Sequence, residues 1–113
     1  MGGPVDLAHL ARYTGGDMEL NAEILKLFET QASDLVAQLQ TLLEIGDAKG
    51  WHAIHHSLKG AARGIGAFAL ADAAAAAETL DPCANLGQAS AALDTLKQRA
   101  EAVQIFIEDY LAR

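Results

Sequence analysis

Between Leu20 and Tyr110 the apolar residues of this chain recur at steps of three and four, interrupted only by short clusters of Gly, Pro and Asp. That spacing is the period of a helix that buries one face, and no segment shows the alternation of a half-buried strand. An all-α fold follows. Asp6 can open a short helix through Tyr13, stopped by Gly15-Gly16. From Asp17, a plausible cap, a long helix runs to about Ile45 with Leu25, Phe28, Ala32, Leu35, Leu39 and Leu42 on one stripe. Leu20, Ile24 and Leu27 widen this stripe into a second patch that needs cover from the first helix or from a partner.

Gly46-Asp47 separates that helix from a third over about 48–64, which Gly64 and Gly66 break. A fourth, over about 67–80, packs Leu70, Ala73, Ala74, Ala77 and Leu80 and stops before Asp81-Pro82. Asn85 and Gln88 resemble a capping box opening a last helix. Its Leu86, Ala89, Leu93, Leu96, Ala100, Val103, Ile107 and Tyr110 keep a seven-residue repeat. Four long stripes are buried best by an antiparallel four-helix bundle, with the short additional N-terminal helix as a small lid.

The 113 residues are one domain's worth of chain, so 1–113 reads as a single bundle with 1–5 as a linker remnant. A net charge of −7 with no cluster of cations argues against nucleic acid, whose phosphates are bound by such clusters. No stretch approaches the roughly 20 apolar residues of a membrane span, and the first residues lack the pattern of a signal peptide. A lone Cys83 excludes an internal disulfide and fits a reducing compartment. The expectation is a cytoplasmic, monomeric protein whose partner is another protein.

The third helix carries the chemistry. At 100° per residue Trp51, Ile54, Leu58, Ala61, Ala62 and Ile65 share an apolar sector, and His56 points away from it. Gly60 and Arg63 lie beside His56 on the exposed face, with Lys59 on its shoulder. An exposed mid-helix glycine costs roughly 1 kcal/mol relative to Ala, in a chain that otherwise favours Ala. Bare backbone one turn from an imidazole leaves room for another molecule, and Lys59 and Arg63 could hold an anion placed on the ring. A phosphoryl group carried on nitrogen fits these features.

Other readings of the same stretch are weaker. His52 and His56 are one turn apart, as paired zinc ligands often are, but no Glu follows His52 and no third ligand is near in sequence; no metal site is expected. His55 lies nearer the apolar sector and reads as a half-buried structural residue. Gly64-x-Gly66-x-x-Ala69 follows a helix rather than a strand, so it is no dinucleotide fingerprint. No phosphate-cradling loop with a Gly-Lys-Ser/Thr ending is present, so the chain should not phosphorylate itself from ATP.

His56-Ser57-Leu58-Lys59-Gly60, followed by Ala61-Ala62-Arg63-Gly64-Ile65-Gly66-Ala67, resembles the signature of histidine phosphotransfer (HPt) domains, roughly H-x-L-K-G-x-x-x-x-x-G-A. Gly16-Asp17, Leu25, Phe28, Gly46-Asp47, Glu78 and Leu80 also sit where that family has similar residues. His55 departs from it, since a small residue is usual there. The resemblance implies a phosphocarrier, not an enzyme in its own right, that relays a phosphoryl group between receiver-domain aspartates. His56 would be the acceptor and Lys59 a catalytic cation, with Gly60 and Arg63 at the phosphoryl and partner surface. It further implies no cofactor in the chain, with Mg²⁺ held by the receiver, and partners among response regulators or a hybrid histidine kinase. Two alternatives stand beside it: the phosphoacceptor domain of a chemotaxis-type kinase, and a bundle that only binds, its histidine idle.

Overall fold

Five helices make up the computed structural model, which describes residues 3–113: α1 Leu7–Thr14, α2 Met18–Ile45, α3 Ala48–Gly64, α4 Phe68–Glu78 and α5 Leu86–Leu111. Among the described residues there is no strand. Each boundary has a local cause. Asp6, Asp17 and Asp47 accept backbone N–H groups from the first turns of α1, α2 and α3, which satisfies donors that a helix start leaves orphaned. Gly46, at φ +70°, closes α2 with N–H bonds back to Leu42 and Leu43.

α2 packs on α3 and α5, and α4 packs on α3 and α5. The seam between α3 and α4 therefore lies across the bundle from the seam between α2 and α5. The core runs the length of a body 45 Å long and about 20 Å across, built from Leu25, Phe28, Leu39, Trp51, Leu58, Leu70, Leu93, Leu96 and Ile107 among others. α4 contributes Ala71, Ala74 and Ala77, all buried. Leu70 shares the buried face one turn before Ala74, but Ala74 and Ala77 carry only methyl groups, and there the α4 backbone approaches α3 closely enough for the buried Trp51 Nε1–H to donate to the Ala77 carbonyl at 2.9 Å.

α1 is held to the bundle by Leu10, which is buried in the core, and by hydrogen bonds at its two ends. Asp6 N–H donates to Gly66 O at 2.9 Å, and Thr14 Oγ1 donates to Asn21 Oδ1 at 2.6 Å. Gly66 has φ +81°, and a Cβ there would sit 2.6 Å from the Asp6 carbonyl oxygen; both facts demand glycine.

Several expectations need correction. Val5 is buried in the core, so it belongs to the fold and not to a linker; Met1 and Gly2 lie outside the described residues. α1 leaves Leu27 72% and Leu20 38% exposed, because it crosses α2 at Asn21 and does not run along it. α4 is shorter than its apolar pattern suggested. The Asn85 side chain makes no cap to α5; its Oδ1 instead accepts from Asp81 N–H, folding the turn before the helix. Leu86 is consequently outside the bundle and exposed.

Gly66→Ala should destabilise the protein by roughly 1–3 kcal/mol from its left-handed backbone alone, and further through the clash with Asp6. Gly60 has ordinary helical geometry, with nothing within 4 Å of an added Cβ, so Gly60→Ala should raise stability by up to about 1 kcal/mol. Denaturant melts of the two variants should move in opposite directions.

Candidate functional site

Three histidines lie within five residues of α3, and their environments differ completely. His55 is fully buried. Its ring meets Trp51 edge-on at 4.3 Å between centroids, and its Nδ1 lies 2.9 Å from the Trp51 carbonyl. A carbonyl only accepts, so Nδ1 carries the hydrogen and Nε2 presents a lone pair to the interior, where it has no partner. Burial pushes the His55 pKa below its ordinary value, against an opposing pull from the Trp51 carbonyl and the Glu78 charge. The half-buried reading is thus corrected: Trp51 and His55, one turn apart, pack edge to face and extend the apolar sector over the imidazole.

His56 is the opposite case, its side chain 67% exposed. The structure brings it a carboxylate that proximity in sequence does not reveal. Glu78, the last residue of α4, places Oε2 3.4 Å from His56 Nδ1, while Lys59 Nζ lies 2.8 Å from Oε1. The Trp51–Ala77 hydrogen bond sets this register, since Ala77 precedes Glu78. Glu78 is only 11% exposed and Lys59 20%. The Lys59 ammonium holds the Glu78 carboxyl below the usual carboxylate range; burial opposes this, and His56 and His52 add to the lowering. At neutral pH Glu78 is therefore an anion, and a carboxylate only accepts. His56 Nδ1 must donate to it, which leaves Nε2 as a bare lone pair directed to solvent.

His52 completes the group. Its Nδ1 is 3.3 Å from the Glu78 carbonyl oxygen and its Nε2 3.5 Å from Glu78 Oε2. Its ring lies nearly parallel to that of His56, at 15° and 6.3 Å between centroids. Both nitrogens of His52 thus face oxygens of Glu78, so a lone pair on Nε2 is turned toward an anion and not toward open solvent. Among the described residues no group of three His, Cys, Asp or Glu side chains is arranged to hold a metal ion.

The remaining predicted residues divide. Gly60 lies beside His56 on the exposed face with open space around it. Lys59 is not the free cation the wheel suggested, because Glu78 occupies it. Arg63 is exposed and makes no ion pair among the described residues. It lies about 10.5 Å along the helix axis from His56. Glu78 was given no part in the site by the sequence reading; its signals were its match to the family pattern and its being the sole carboxylate in the second half of an alanine-rich helix.

A helical bundle with an exposed imidazole held against a nearly buried carboxylate has the chemistry to accept a group from another molecule. The model of the Hpt domain family matches residues 23–106, and the chain belongs to that family; it is a histidine phosphotransfer protein of the phosphorelay type. Its fold is similar to the crystal structure of histidine-containing phosphotransfer protein B (HptB) from Pseudomonas aeruginosa PAO1, with a TM-score of 0.87 over 100% of this chain and 99% of that one, at 21% identity. No curated protein sequence matches significantly. No helix among the described residues is long and apolar enough to cross a membrane.

Neutral His55 has a consequence for stability. Below about pH 6.5, the ordinary histidine pKa, the unfolded chain gains a proton that the folded chain resists, so stability must fall as pH drops through the window beneath that value. The slope is at most about 1.4 kcal/mol per pH unit for this one group. Thermal melting between neutral and mildly acid pH should show a steeper decline for the parent than for His55→Leu; equal slopes would mean that the buried ring takes up protons as easily as a free one.

Proposed function

We propose that His56 Nε2 is the phosphoacceptor and that the chain relays a phosphoryl group from one receiver-domain aspartate to another. The observation that carries this is the Glu78 carboxylate at His56 Nδ1, which of the three histidines leaves only His56 with a lone pair in solvent. In the forward step the Nε2 lone pair attacks the phosphorus of an aspartyl phosphate. The N–P bond forms as the P–O bond to the aspartate breaks, and the carboxylate departs with the bonding electrons. The positive charge left on the imidazole is shared through Nδ1–H with Glu78, which is ionised throughout. The neutral form of an imidazole attacks through a lone pair, so no separate base is needed to remove a proton. The same atoms run in reverse when a second receiver supplies the attacking carboxylate.

Lys59 acts in two ways in this scheme: it anchors Glu78 at rest, and from its place one turn from His56 it offsets charge on the transferring oxygens. Arg63, two turns along, fits the docked partner better than the phosphoryl group. Gly60 keeps the approach open. The divalent cation that such a transfer uses belongs to the receiver's acidic site, this chain contributing no cofactor and no ATP site of its own. The partners are receiver domains of response regulators or of a hybrid histidine kinase, met in the cytoplasm by a monomer.

His56→Gln should abolish labelling by a phosphorylated receiver and leave the melting temperature nearly unchanged, since the side chain is exposed. His55→Leu, which fills the buried slot with an apolar group, should still accept phosphate. Labelling that survives in His56→Gln would overturn the assignment. Lys59→Ala should slow transfer without unfolding the bundle.

Gly60→Gln separates access from folding. Its side chain would project beside the imidazole into space that is now empty, so a receiver should be obstructed and transfer should fall steeply while melting stays normal. Full transfer in this variant, measured from a phosphorylated receiver, would show that docking does not use the surface over Gly60.

A further inference from the structure

We infer that His52 is a positioning residue for phosphoryl acceptance: it grips Glu78 from one helical turn below His56, and so helps decide which nitrogen of His56 bears the proton. This rests on the reading of His56 as acceptor. Glu78 ends α4, so its carbonyl is among those a helix leaves without an internal partner. His52 Nδ1 lies 3.3 Å from that carbonyl oxygen and must be protonated to meet it favourably. The other nitrogen, Nε2, is 3.5 Å from the carboxylate oxygen Oε2.

A neutral ring protonated at Nδ1 turns a lone pair toward that anion, whereas an imidazolium donates toward both the carbonyl and the carboxylate. The charged ring also sits at the negative end of the α4 dipole. The grip therefore tightens on protonation. One residue is held at its backbone and its side chain by a single ring.

The remaining titratable groups at Glu78 among the described residues are Lys59 on Oε1 and His56 on Oε2. With Lys59 fixing one oxygen and His52 drawing on the other, the carboxylate has little freedom to swing from His56 Nδ1. Loss of His52 frees that rotation, and a larger share of His56 would then carry its proton on Nε2, the nitrogen that has to attack.

The test compares the full chain with His52→Ala and His52→Gln, the latter keeping a donor for the carbonyl but no charge. Nitrogen-15 spectra of the imidazoles without any phosphate read the His56 tautomer. Phosphorylation from a charged receiver reads the rate, across a range of pH. The expected result is a rise in Nε2–H His56 in His52→Ala and a rate lower by about two- to fivefold, the scale of an exposed charge contact, with His52→Gln between it and the parent. The loss relative to the parent should be larger at acid than at alkaline pH, because only the imidazolium form donates toward both oxygens. In a Glu78→Gln background His52→Ala should change nothing further. An unaltered tautomer population in His52→Ala, or the same loss with and without Glu78, would overturn the proposal. Failure of His56 as acceptor would show separately, as labelling of His56→Gln, because the tautomer measurement involves no phosphate.

Discussion

The hydrogen bond from the Trp51 indole to the Ala77 carbonyl fixes more of this molecule than its own energy suggests. A buried N–H must find an acceptor or forfeit its hydration, and this one finds a backbone oxygen on a neighbouring helix. That ties α4 to α3 at a single register. One residue further on, Glu78 stands opposite His56, His52 and Lys59; a slip of one residue along α4 would rotate its carboxylate by about 100° away from them. The alanine face of α4 is the condition for this bond, since larger side chains would hold the two backbones apart.

That constraint explains why some of the molecule is legible in the sequence and some is not. The starts of α2 and α3 follow from Asp17 and Asp47, and the ends of α1 and α2 from glycines, because caps are local chemistry between residues close in sequence. The exposed side of His56 is equally local, a matter of phase on one wheel. Glu78 is 22 residues from His56, and nothing in the periodicity of either helix says how far α4 has slid along α3. Periodicity states which face is buried; packing decides the register. The Asn85 turn shows the same limit on a smaller scale. Its side chain had two possible backbone partners, and the one it took, Asp81 N–H, is settled by where the chain must turn after α4.

His55 marks a different boundary. Its sector was nearly right, but a wheel counts angles and takes no account of bulk. Trp51, one turn earlier, is the largest side chain in the core, and its ring face shelters the next imidazole completely. A polar ring is tolerated there because one nitrogen is satisfied within the helix by the Trp51 carbonyl. The second nitrogen is left without a partner, at the cost a buried acceptor incurs when unpaired. Adjacent residues of identical chemistry thus acquire unrelated properties, one committed to the interior and the other to solvent.

A carrier has to hold its group firmly enough to survive transit and loosely enough to release it, and the arrangement around His56 meets both demands by keeping its charges off the nucleophilic nitrogen. Glu78 acts on Nδ1, Lys59 acts on Glu78, and the space over Gly60 is empty. Lys59, the cation that the proposed mechanism uses at the transferring oxygens, is held by Glu78 at rest. The carboxylate keeps the ring in one tautomer, so that half of the geometry is ready before a partner arrives. On the proposed mechanism the same tautomer serves attack and departure at Nε2, so this preparation favours neither direction of transfer, and the direction would fall to the relative stabilities of the two aspartyl phosphates connected.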